Sequence, residues 1–161
     1  MASRVQRIVN LRKKLARMPE AIKTEMRLAM EQGADEIVAL AKNLVPFADG
    51  KLRDSIGWTW GDPPKGSIVL GSVKRSAGQR ARQDAGLLIT ICAGNDEAYY
   101  ARWVEFGTAQ HRNGGMFAGT THPGTNAQPF FYPAFRALRR RVKSRVTRHT
   151  NKAIKKVAAG G

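Results

Sequence analysis

The chain of 161 residues has a single cysteine, Cys92. No intramolecular disulfide is possible, which excludes a disulfide-stapled secreted scaffold and fits a reducing compartment. There is also no run near the roughly 18 apolar residues that a membrane helix needs, so no membrane partner is expected. The opening stretch MASRVQRIVNLRKKLARMPE is basic, without an apolar core or a small-residue cleavage site, and is not read as a signal peptide. The three histidines, His111, His122 and His149, lack metal-ligand spacing and read as surface residues. There is no GxSxG and no Walker loop; GTAQHRNGG at 107–115 lacks the preceding strand that a phosphate loop needs. Cys92 sits in an apolar stretch with no cation close in sequence to favour a thiolate, and reads as a small core residue. These absences predict no cofactor, no metal and no enzyme.

Acid is the scarcest property of the second half. Glu105 is the last carboxylate, and residues 106–161 carry 11 Lys and Arg against none. Residues 1–60 are more balanced, with 11 against 7, and the net charge is +16. Such asymmetry points to an anionic partner, either nucleic acid or an acidic protein surface; the bland alternative is a solvated tail. Candidate contacts are Arg75, Arg80 and Arg82 in the loop KRSAGQRARQDAG (74–86), and Arg139, Arg140 and Arg141 near the C-terminus.

The hydrophobic pattern predicts an α+β fold. A basic helix or arm over 1–18 precedes a single domain over 19–150, and a frayed basic tail follows over 151–161. Pro19 suits a first helical turn. Ile22, Met26, Ala29, Gly33, Ile37, Leu40 and Leu44 then recur at steps of three and four, one face of a long helix that Pro46 ends. Gly33 on that face allows another element to approach closely. Strands are expected around Ile56–Trp60, at 67–73 and at 87–93, in a small, mostly antiparallel sheet of three or four strands. Asn95 or Asp96 can cap a short helix over 98–106, which Gly107 ends. Residues 107–128 read as a long flexible polar loop. A C-terminal helix follows, with Pro133 in its first turn and ten Lys and Arg from Arg136 to Lys156.

AYYARWVEFGT (98–108) is the densest aromatic stretch. Tyr99, Trp103 and Phe106 fall at helical spacing, which predicts that they pack on the sheet as core. Glu105, three residues from Arg102, is expected to pair with an arginine or to accept backbone N–H groups. Base stacking by these rings is the alternative, but no helix-turn-helix, zinc-finger or RNP pattern accompanies them.

Three motifs taken together resemble those of the phage head–tail joining family, the tail-completion or minor tail proteins of long-tailed phages and gene transfer agents. They are VPFADGKLRDSI (45–56) with Pro46, Gly50, Leu52 and Ser55; YARWVEFGT (100–108) with Tyr100, Trp103, Glu105, Phe106 and Gly107; and QPFFYPAF (128–135) with Pro129, Phe130 and Pro133. The resemblance covers about residues 20–150; the first 18 residues and the 74–86 loop lie outside it. It implies a structural virion protein of the neck or tail end, assembled in the host cytoplasm as a ring, commonly a hexamer. Its partners would be itself, neighbouring neck or tail-tube proteins and the DNA in the channel. The competing reading is a basic nucleic-acid-binding module.

Overall fold

A computed structural model describes residues 19–63 and 86–160, together with Val9 and Ser67. The expected N-terminal arm, the strand at 67–73 beyond Ser67, and Arg75, Arg80 and Arg82 lie outside the described residues.

Helix α1 spans Glu20–Leu44. Pro19 opens it, and its carbonyl accepts from Ile22 N at 3.0 Å and Lys23 N at 3.3 Å. At the other end Val45 turns extended (φ −66°, ψ 134°), because the ring of Pro46 crowds a helical conformation at the residue before it. The buried face runs through Ile22, Ala29, Gly33, Ile37 and Ala41 and continues to Val45. Leu44, expected on that face, is 45% exposed instead. Past Ile37 the stripe moves in steps of four, through Ala41 to Val45.

A single helical turn, α2 (Lys51–Asp54), leads into β1 (Gly57–Trp60). β1 pairs antiparallel with β2 (Ile89–Cys92), with Trp58 opposite Ile91 and Trp60 opposite Ile89. The two tryptophans reach the polar flank of α1. Trp58 Nε1 donates to Asp35 Oδ1 at 2.7 Å and Trp60 Nε1 to Glu31 Oε1 at 3.1 Å. Cys92 is buried, and burial pushes its thiol pKa up, as an unreactive core residue requires. Helix α3 (Ala101–Phe106) follows. Asn95 Oδ1 accepts from Glu97 N and Ala98 N, at 3.0 and 2.7 Å, in the turn that leads to it.

The stretch expected as a flexible loop forms a β-hairpin arm. β3 (His111–Arg112) pairs antiparallel with β4 (Thr121–His122), and the isolated pair Thr108–Thr125 closes the root. A 3-10 turn at Gly115–Phe117 makes the tip. Among the described residues the strands therefore form two two-stranded antiparallel sheets rather than one larger sheet.

The last helix, α4 (Phe131–Gly160), runs unbroken past residue 150 and packs along α1. Gly33 is where the two axes approach: a Cβ there would sit 2.5 Å from Val142 Cγ1. Glu36 on α1 pairs with Arg145 and, at 3.4 Å, with Arg141. The hydrogen bond from Arg145 lowers the Glu36 pKa, outweighing desolvation. His149 Nδ1 lies 3.6 Å from Glu25 Oε2. The core between α1, β2, α3 and the start of α4 is built from Leu52, Ile56 and Phe130 with several alanines, among them Ala98, Ala101 and Ala134. Small residues let the short helix sit close to its neighbours.

Candidate functional site

α3 is six residues long and has two faces. Ala101 and Glu105, one turn apart, are buried. Trp103 and Phe106 are 50% and 55% exposed. The expectation that these two rings pack on the sheet is therefore corrected. Spacing defines a stripe but not the side it faces, and here the inward stripe is alanine and a carboxylate.

Glu105 is 2% exposed. Its Oε2 accepts from Phe130 N at 2.8 Å and Phe131 N at 2.9 Å, and its Oε1 accepts from Tyr132 N at 3.0 Å. These are N–H groups at the start of α4, which have no partner within the helix. A carboxylate placed there satisfies them and meets the positive end of the helix dipole. Of the two partners expected for Glu105, it takes the backbone. Its two oxygens thus accept from three backbone donors.

The same junction fixes the arm. Gly107 N donates to Trp103 O at 2.8 Å, and Gln128 N donates to Val104 O at 2.8 Å. Gly107 has φ +70°, and a Cβ on it would lie 2.5 Å from Thr125 O, so only glycine fits the root. Pro129 is exposed, whereas Phe130 beside it is 0% exposed. Pro133 stands in the first turn of α4, where its missing N–H costs nothing.

The first motif forms the facing wall. Ser55 Oγ donates to Leu52 O at 2.7 Å and accepts from Gly94 N at 2.9 Å, and Leu52 is buried. Gly50 is the left-handed residue that precedes α2. Tyr100 Oη donates to Asp49 Oδ1 at 3.4 Å; desolvation and then the Asp49 charge push its phenol pKa up. Between this wall and α3 lies a groove of about 330 Å³, lined by Pro46, Leu52, Tyr100, Trp103 and Val104, with Asp49 and Arg53 as its charged members.

Around the groove the surface is aromatic. Tyr99 meets Trp103 edge-on at 5.5 Å, Phe106 meets Tyr132 at 5.8 Å, and Phe47 is 75% exposed. Tyr99, Trp103, Phe106 and Phe47 are each half or more exposed. His111 and His122 stack across the arm at 5.1 Å. Among the described residues no group of three or more His, Cys, Asp or Glu could hold a metal ion. Of the basic candidates, Arg139 and Arg140 are exposed on α4, whereas Arg141 is drawn to Glu36. Sequence reasoning missed the arm tip, where Met116 is 94% and Phe117 66% exposed. Two apolar residues between glycines in a polar stretch were the available signal.

The family described as "Bacteriophage HK97-gp10, putative tail-component" matches residues 10–107. The chain belongs to this family. The match to the HK97-gp10-like family takes in α1, the groove wall and α3 up to Gly107, while the arm and α4 lie beyond it. VPFADGKLRDSI thus falls inside the matched region, as does YARWVEFGT but for Thr108, and QPFFYPAF falls outside. No curated protein and no solved structure matches the chain. Family membership makes it a structural component of a phage tail. No helix among the described residues is long and apolar enough to cross a membrane.

Proposed function

We propose that this tail component sits at the neck or tail end of the virion, where it assembles as a ring, a hexamer on the family resemblance, and joins or completes the tail at the head–tail interface. The observation that carries this reading is the outward turn of Trp103 and Phe106. A folded subunit that leaves two large rings half exposed beside an apolar groove is built to be covered by neighbours. Neighbouring neck or tail-tube proteins stack on the remaining faces of the ring.

A second reading, a nucleic-acid-binding role, is favoured by α4. Arg139, Arg140, Lys143, Arg148 and Lys152 are all exposed on an acid-free helix, and none forms an ion pair among the described residues. Such a face gives salt-dependent attraction to phosphate. In a ring the two readings are compatible, with α4 turned toward the DNA channel.

The test is complementation of a particle-producing strain that lacks the gene, scored by infectivity and electron microscopy. Unjoined heads and tails, or tails of abnormal form, are expected without the gene, with antibody label at the neck when it is restored. Label along the whole tail would overturn the neck assignment. Salt-sensitive, tight duplex binding by a monomer would favour the nucleic-acid module over the ring.

A further inference from the structure

The arm ends in two apolar side chains that touch no core of their own. Met116 and Phe117 are 94% and 66% exposed at the tip. The arm beneath them is well tied. Asn113 N donates to Thr120 O at 2.9 Å, Asn113 Nδ2 donates to Thr120 Oγ1 at 2.8 Å, and Thr120 Oγ1 donates to Phe117 O at 2.7 Å. A tip held this firmly in solvent loses little further entropy on binding.

The same chain carries an apolar groove of about 330 Å³ between α3 and the 46–53 turn. The tip does not fill its own groove: neither Met116 nor Phe117 lines it, and both are exposed. Thr125, Asn126 and Gln128, at the root of the arm, line that groove. The chain from Thr108 to Met116 extends up to about 25 Å at about 3.3 Å per residue. Folding back would break the Thr108–Thr125 and His111–His122 pairs.

Charge selects the occupant. Two copies of a chain with net charge +16 repel each other, so a self-contact is favoured where charge is lowest. The groove contributes Asp49 and Arg53, which offset each other. The arm, from Gly107 to Phe130, contributes Arg112 alone. The tip and the groove can thus meet with little electrostatic cost.

We propose that Met116 and Phe117 of one subunit seat in the groove beside Trp103 of a second copy, head to tail. This rests on the ring assembly proposed above and names its contact. Methionine adapts to the irregular floor, and the phenylalanine ring packs against Trp103 and Tyr100. Arm and groove are different surfaces of the subunit, so the contact is heterologous and repeats around a ring.

The experiment mixes two full-length single variants, Ala118→Cys in one, which leaves Met116 and Phe117 in place, and Ala48→Cys in the other, and treats them with a short bismaleimide. Cys92 is 5% exposed and does not compete, which the wild type treated alone verifies. A covalent dimer joining the two unlike chains is expected. In parallel, Met116→Asp combined with Phe117→Asp should weaken self-association in sedimentation by about 30-fold or more, with unchanged melting, since a buried anchor is lost and charge is desolvated. Unlike-chain dimers without a closed ring would uphold the tip contact and overturn the ring. Ring-sized wild type with no such dimer, or an aspartate variant that assembles as well as wild type, would overturn the tip contact and leave the ring standing. A monomer that never cross-links overturns both.

Discussion

α4 is held at two junctions of opposite character. At its first turn, a buried carboxylate from α3 accepts three backbone N–H groups and Phe130 fills the space behind, with no charged side chain as partner. Along its middle, against α1, contact is made by a glycine gap at Gly33 and by Glu36 with Arg141 and Arg145 at the edge of the seam. Both junctions use one glutamate. The first gives its carboxylate donors that have no other partner, and the second gives it one arginine that water also solvates, Arg141, and one that is mostly buried, Arg145. The lesson is that the value of a carboxylate depends on what its partners would do without it.

The widest gap between the junctions should appear with Phe130→Ala. This ring is fully buried, and its loss should cost about 3–5 kcal/mol in denaturant melts. A change below about 1 kcal/mol would show that the first junction is not the anchor. Next comes Glu105→Gln. The amide keeps one acceptor oxygen but turns N–H groups toward N–H groups, so a loss of about 2 kcal/mol is expected, read by the same melts. Wild-type stability would remove the capping role.

Trp103→Ala and Phe106→Ala come third and sharpen the contrast within α3. Because these rings face outward, each should move stability by less than about 1 kcal/mol while reducing self-association in sedimentation. A large loss of stability would put the rings back in the core. The smallest effect is expected at the second junction. The folded Glu36 pKa is lowered, so its contribution is present above the ordinary carboxylate range and is lost as pH falls through the folded value. Glu36→Gln should therefore show a flatter fall of melting temperature with acid than wild type. Parallel curves would show that the Glu36 pairs contribute nothing.

Much of this fold was legible from the sequence. Pro19 and Pro46 bracket α1, and Gly33 does mark a close approach. Periodicity located α3 as well, but a period has no sign. Tyr99, Trp103 and Phe106 form a stripe as regular as any core stripe, and only the placement of the alanines and of Phe130 decides which stripe turns inward. The arm was missed for another reason. Its strands are two residues each and polar, so they carry no alternation to detect. The partner of Glu105 was out of reach because it lies about 25 residues away in sequence and is backbone, which every residue carries.

The clasp formed by Glu105, Gly107 and Gln128 has an evolutionary consequence. It pins both ends of the arm to the body within a few residues, so everything between them behaves as an exchangeable cassette. Lengthening or rewriting that cassette changes closure entropy only slowly and leaves the buried junction untouched. A lineage can thus alter what its subunit grips without renegotiating how the subunit folds.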